Sequence, residues 1–132
     1  KTIFFYGLGD KASDYRDFSK YLNVIPIDWN RPEKTKAPKS DVVIGFSMGC
    51  YLAMDYAWKH RVKRLILCSL PPTENLGMLK ADEIILLFGS KEKYSLKLAP
   101  KGKYKVIVVK DAGHAIKGLY RKKIISLLTK VP

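Results

Sequence analysis

Cysteine and histidine are scarce in this sequence, with two of each in 132 residues. No apolar run approaches the roughly 18 residues needed to cross a membrane. Each shortage excludes something. Cys50 and Cys68 lie inside apolar segments, without the spacing or the partners of a disulfide framework or a metal site. They read as two small buried hydrophobes. Acidic residues are short too, 12 against 25 lysines and arginines, for a formal net charge of +13. That balance raises the question of nucleic-acid or anionic-membrane binding. Yet lysine far outnumbers arginine, the lysines are spread along the whole chain, and the aromatics fall mostly in apolar periodic positions. The charge therefore reads as a solvated lysine surface with no specific nucleic-acid partner and weak, salt-sensitive adsorption to polyanions.

Linkers, repeats and low-complexity segments are also missing, so residues 1–132 read as one domain, large enough for a single core. A composition of 47% hydrophobic and 28% charged residues excludes a disordered chain. The sequence starts at Lys1 and residues 2–6 already read as a strand, so a signal peptide is expected to have been removed or never to have existed. A cytoplasmic location is the expectation.

What is present is a series of six short apolar runs: TIFFY (2–6), VIPID (24–28), VVIGF (42–46), LILCSL (65–70), IILLF (84–88) and VIVV (106–109). Near-continuous runs of this kind suit strands buried on both faces of a parallel sheet. Helical spacing links Tyr15, Phe18 and Leu22 in 13–22, Leu52 and Tyr56 in 48–59, and Ile116, Tyr120, Ile124, Leu127 and Leu128 in 116–129. The connections 30–41, 71–83 and 90–103 are rich in Pro, Gly or Lys and hold a helical turn or two at most. An α/β domain follows, with a sheet less fully covered than usual. Pro26 cannot donate to a central ladder, so 24–28 belongs at an edge. The expected order is 2-1-3-4-5-6, doubly wound, with ligands at the carboxyl ends of strands one and three.

Chemistry-bearing residues fall on that rim. Gly45-Phe46-Ser47-Met48-Gly49 joins an apolar strand to a helix, the pattern of a nucleophile elbow that holds a serine in a strained turn with no space for flanking side chains. The helix start beyond it favours developing negative charge. Tyr6-Gly7-Leu8-Gly9-Asp10 leaves the first strand through a glycine-rich turn. Acyl transfer needs two N–H groups aimed at an oxyanion, and the amides of Met48 and Leu8 are the candidates; an ordinary strand-exit turn is the alternative for Leu8. His114, in Asp111-Ala112-Gly113-His114-Ala115, follows the last strand and is the candidate base. His60, in Trp58-Lys59-His60-Arg61, sits at a helix end and reads as solvent-facing or capping. A carboxylate must hold the histidine. Glu92, in Gly89-Ser90-Lys91-Glu92-Lys93, is the first candidate and Asp111 the rival.

With nucleophile, acid and histidine in that order, the sequence resembles the α/β-hydrolase superfamily over nearly its whole length, through YGLG, GFSMG, FGSKE and DAGH. Tyr6 stands where the family often has histidine, and Glu92 where it commonly has aspartate. Fuller members begin with two further strands and usually carry a cap after the strand matching 65–70. The resemblance thus implies a minimal, capless member with an open, shallow site. It implies a serine hydrolase for carboxylic esters of short acyl chains, working through an acyl-enzyme with Ser47, His114 and Glu92 and without metal or organic cofactor. Activity is expected to rise as the imidazole loses its proton. Thioester, lactone, acyl-transfer, peptide or carbon–carbon bond chemistry on the same residues is the alternative. A non-catalytic basic module for nucleic acid or an acidic partner is another, and poorly covered sheet faces raise a third expectation, a homodimer.

Overall fold

Parallel pairing obliges every connection to cross a sheet face before the next strand can start. The computed structural model, which describes residues 1–129, is built in this way. Its strands are β1 (Thr2–Phe5), β2 (Asn23–Val24), β3 (Val42–Phe46), β4 (Val62–Cys68), β5 (Ala81–Gly89) and β6 (Lys105–Val109). They form one sheet in the order β2-β1-β3-β4-β5-β6, and every neighbouring pair is parallel. The direction of winding reverses between β1 and β3, so the carboxyl ends of these strands open onto a shared crevice.

Because side chains alternate across a strand, each buried strand feeds two cores. On one face Phe4, Ile44, Ile66 and Leu87 meet Tyr15 and Phe18 of a 3-10 helix, Ala12–Lys20, and Tyr120, Ile124 and Leu127 of helix Gly118–Thr129. On the other, Ile3, Val43, Leu65, Leu67 and Leu86 meet Cys50, Ala53 and Ala57 of helix Gly49–Lys59. Small residues on that helix let it lie close: a Cβ at Gly45 would stand 2.7 Å from the Cys50 Cα. In chain order the α-helices are α1 (Gly49–Lys59), α2 (Lys93–Lys97) and α3 (Gly118–Thr129). Cys50 and Cys68 are both free and buried.

Some boundaries differ from the sequence-based expectation, each for a local reason. β2 pairs only through Asn23 and Val24. The Ile25 N–H still reaches the Phe4 carbonyl at 2.9 Å, after which Pro26 has no N–H to offer and the chain leaves the ladder. The first helical segment is a 3-10 helix broken at Tyr15, whose φ of −122° and ψ of 31° are non-helical; the Tyr15 ring is drawn in against Phe4 and Tyr6. β4 and β5 start earlier than their apolar runs. Arg61 pairs with Asp82 at 2.8 Å and Arg64 with Glu83 at 3.1 Å, so charged residues extend the ladder beyond the apolar stretch.

Coverage of the α1 face is thin. The connection before β3 has one 3-10 turn, Pro32–Lys34, and the one before β6 has the five-residue α2. Residues 69–80, between β4 and β5, hold no helix. Val106 and Val108, in register with Leu86 and Phe88, stay half-exposed at the outer strand. Among the described residues no helix is long and apolar enough to cross a membrane.

Candidate active site

Ser47 sits between β3 and α1 at φ +54°, in the left-handed region that a residue with a Cβ rarely occupies. The turn is forced by what surrounds it. A Cβ at Gly49 would lie 2.1 Å from the Phe5 carbonyl oxygen, so only glycine lets α1 start directly behind β1. The Ser47 N–H donates to the Cys68 carbonyl at 2.9 Å, and its own carbonyl accepts from Cys50 N–H at 3.0 Å. Held at both backbone ends, the serine projects its hydroxyl over the strand ends.

His114 reaches that hydroxyl from the loop after β6. Its Nε2 lies 2.9 Å from Ser47 Oγ and its Nδ1 lies 2.7 Å from Glu92 Oε2. A carboxylate only accepts, so Nδ1 carries the proton of the neutral ring and Nε2 is left to accept from the serine. Its ring lies against Phe46, centroids 5.3 Å apart.

Glu92 is the buried member, 8% exposed, whereas the His114 side chain is 52% exposed. Burying a carboxylate is costly unless its lone pairs are filled. Oε1 accepts from Ser69 Oγ at 2.6 Å and from Gly89 N–H at 2.9 Å, leaving Oε2 for the histidine. Ser69 directly follows β4 at φ +50°, and its Oγ lies 2.7 Å from the Tyr120 hydroxyl. The same hydroxyl lies 3.1 Å from the Leu87 carbonyl, and burial pushes the phenol well above the usual tyrosine range. Asp111 is exposed, adopts φ +60°, and uses its N–H to donate to Ser90 Oγ at 2.8 Å. Among the described residues its carboxylate makes no bond to His114, so this residue turns the loop.

Leu8 and Met48 lie in the turns after β1 and β3 and are exposed, Leu8 by 64%. Among the described residues neither backbone N–H has an acceptor in the protein. The turn that carries Leu8 is braced from behind. The Gly7 carbonyl accepts from Asp10 N–H and from Trp29 Nε1–H, each at 3.1 Å, and the Asp10 carboxylate accepts from Gly7 N–H and the Tyr15 hydroxyl. Tyr6 exchanges hydrogen bonds with the Ile27 backbone. His60 lies apart from all this, at the carboxyl end of α1 against Tyr56. Among the described residues no three His, Cys, Asp or Glu side chains cluster for a metal ion.

Against protein-family models and curated sequences the chain has no match. Solved structures do match. ClbQ from the colibactin NRPS/PKS pathway superposes with a TM-score of 0.63 at 10% identity, over 96% of this chain and 93% of its own. Esterase PE8 gives 0.58 at 12% identity, over 96% and 90%. The enol-lactonase from Burkholderia xenovorans LB400 gives 0.57 at 13% identity, over 98% and 91%. The chain has the α/β-hydrolase fold. In this fold the β1, β3, β5 and β6 ends supply the Leu8 turn, Ser47, Glu92 and His114 in that order. Ser69, Tyr120 and Trp29 were not singled out from sequence as site residues. Ser69 is the one polar residue within the apolar run 65–70, and Tyr120 the one hydroxyl in an apolar helix stripe, which are signals of a kind. Trp29 gives none, because its partner is a carbonyl far along the chain.

Proposed function

We propose that this chain is a serine hydrolase that cleaves carboxylic esters of short acyl chains through an acyl-enzyme. The observation that carries this is the continuous row from Ser47 Oγ through His114 to Glu92, at 2.9 and 2.7 Å, with the serine in a strained turn. As Ser47 Oγ bonds to the acyl carbon, its proton passes to His114 Nε2, and the carbonyl electron pair moves onto oxygen. The Leu8 and Met48 N–H groups receive that oxyanion, while Glu92 stabilises the imidazolium. Collapse expels the alkoxide, which takes the proton from Nε2. Water then attacks the acyl-enzyme, giving its proton to His114, and Ser47 leaves with that proton as the acid is released.

Short acyl chains are favoured because the rim is open: Leu8 and Met48 are exposed, and no helix lies between β4 and β5. The likeness to an esterase and to an enol-lactonase makes open and cyclic oxygen esters the acyl donors to try first. Long-chain triglycerides turned over faster than short p-nitrophenyl esters would contradict this acyl preference.

The test of the nucleophile is intact mass after treatment with a fluorophosphonate. One adduct on the wild type and none on Ser47→Ala is expected. No adduct on either protein would overturn the proposal and favour a basic binding module, which a salt-sensitive shift with DNA or RNA would then support.

A further inference from the structure

The Leu8 amide needs something to aim it, because Leu8 is exposed and lies in neither helix nor strand. The other end of its peptide is the Gly7 carbonyl, which carries two donors, Trp29 Nε1–H and Asp10 N–H. The described backbone has no cis bonds. In a planar trans peptide the C=O of one residue and the N–H of the next point in opposite directions. Holding the Gly7 oxygen therefore holds the Leu8 N–H on the opposite side. Hydrogen bonds to the carbonyl also polarise the amide and make the same N–H a stronger donor.

The two donors differ in kind. Asp10 is local and closes the turn through Gly9, whose φ is +88°. Trp29 comes from 22 residues away, on the loop that follows β2. That loop is tied on either side of the indole: Ile27 N–H donates to the Tyr6 hydroxyl at 2.6 Å, and Arg31 N–H to the Asp28 carbonyl at 2.9 Å. The half-buried indole packs against the core beneath it. Its N–H thus reaches the Gly7 carbonyl as a fixed donor.

We infer that Trp29 is a positioning residue for the oxyanion site, acting through the Gly7–Leu8 peptide. The inference rests on the ester-hydrolase reading. Trp29 has no hydrogen bond to Ser47, His114 or Glu92.

The test compares wild type with Trp29→Phe and with 3-benzothienylalanine at position 29, which keeps the ring system and replaces N–H by sulfur. Removing an oxyanion donor outright costs on the order of a hundredfold or more in kcat. Removing the group that aims one is expected to lower kcat about tenfold, with KM unchanged. Affinity for a trifluoromethyl ketone, whose adduct places an oxyanion in the same site, should fall by the same factor. The pH midpoint of kcat should not move, since the Ser47–His114–Glu92 row is untouched. Should Trp29→Phe fail to fold, the isosteric variant decides. A wild type that turns over esters, with variants matching it in kcat and ketone affinity or altered in KM alone, overturns the role of Trp29 and leaves the hydrolase standing. A wild type with neither turnover nor a fluorophosphonate adduct overturns both.

Discussion

Glu92 illustrates how one residue's surroundings decide its use. Three donors converge on a carboxylate that is almost wholly buried, and two of them, Ser69 Oγ and Gly89 N–H, occupy the oxygen that does not face His114. Glu92→Gln would keep the shape but lose the acceptor that selects the histidine tautomer. Its kcat should fall by about a hundredfold or more in steady-state assays, with KM little changed. Ser69→Ala should cost about 1 kcal/mol in denaturant unfolding and only a few-fold in kcat, because Gly89 still holds the same oxygen. Asp111→Asn should leave kcat within about twofold of wild type, since its carboxylate takes no part in the row. A large loss there instead would return Asp111 to the acid role.

At the scale of elements, Arg121 fastens α3 to the 3-10 helix. It pairs with Asp17, donates to the carbonyls of Asp14 and Ile116, and lies over the rings of Tyr15 and Phe18. This one side chain connects the segment before β2 with the last helix, and so steadies the face opposite α1. Arg121→Ala should lower stability by about 1–2 kcal/mol, read from the urea midpoint, through lost packing as well as lost charge. The Arg121 hydrogen bonds hold Asp17 below the usual carboxylate range. A depressed folded value means that the stability it brings is present above the unfolded value of about 4, and is lost as pH falls through the folded one. Asp17 is half-exposed, so its share is small, roughly 0.5 kcal/mol. Thermal midpoints of wild type and Asp17→Asn should therefore differ at neutral pH and converge in acid.

For the whole molecule, Tyr15 and Tyr120 couple folding to alkaline pH. Burial raises both Tyr15 and Tyr120, and Tyr15 is raised further by its bond to Asp10. Raised folded values mean stability that is complete below the unfolded value of about 10 and declines as pH rises beyond it. Tyr15 and Tyr120 should ionise only together with unfolding, seen as a late step in tyrosinate absorbance that coincides with loss of near-UV circular dichroism. The thiols of Cys50 and Cys68 are pushed up by burial as well. An aromatic disulfide reagent should find no reactive thiol in the native protein and two after denaturation.

Periodicity and glycine placement are local properties, and they determined much of this protein. Buried parallel strands appear as unbroken apolar runs, Pro26 marks the edge, and the strand order follows from both. The turn at Ser47 was legible for the same reason, since Gly45 and Gly49 are required by backbone packing within a few residues. Charged strand starts such as Arg64 and Asp82 were not, because their partners, Glu83 and Arg61, lie 19 and 21 residues away in sequence, on or beside a neighbouring strand. Nor could local pattern decide between Glu92 and Asp111 as the partner of His114. That depends on where two loops from different strands meet, and on burial that rewards the carboxylate with the most donors. Ser69, Tyr120 and Trp29 act across 23, 33 and 22 positions of sequence, at Glu92, Leu87 and Gly7 respectively. Only the packed chain brings such pairs within hydrogen-bond reach.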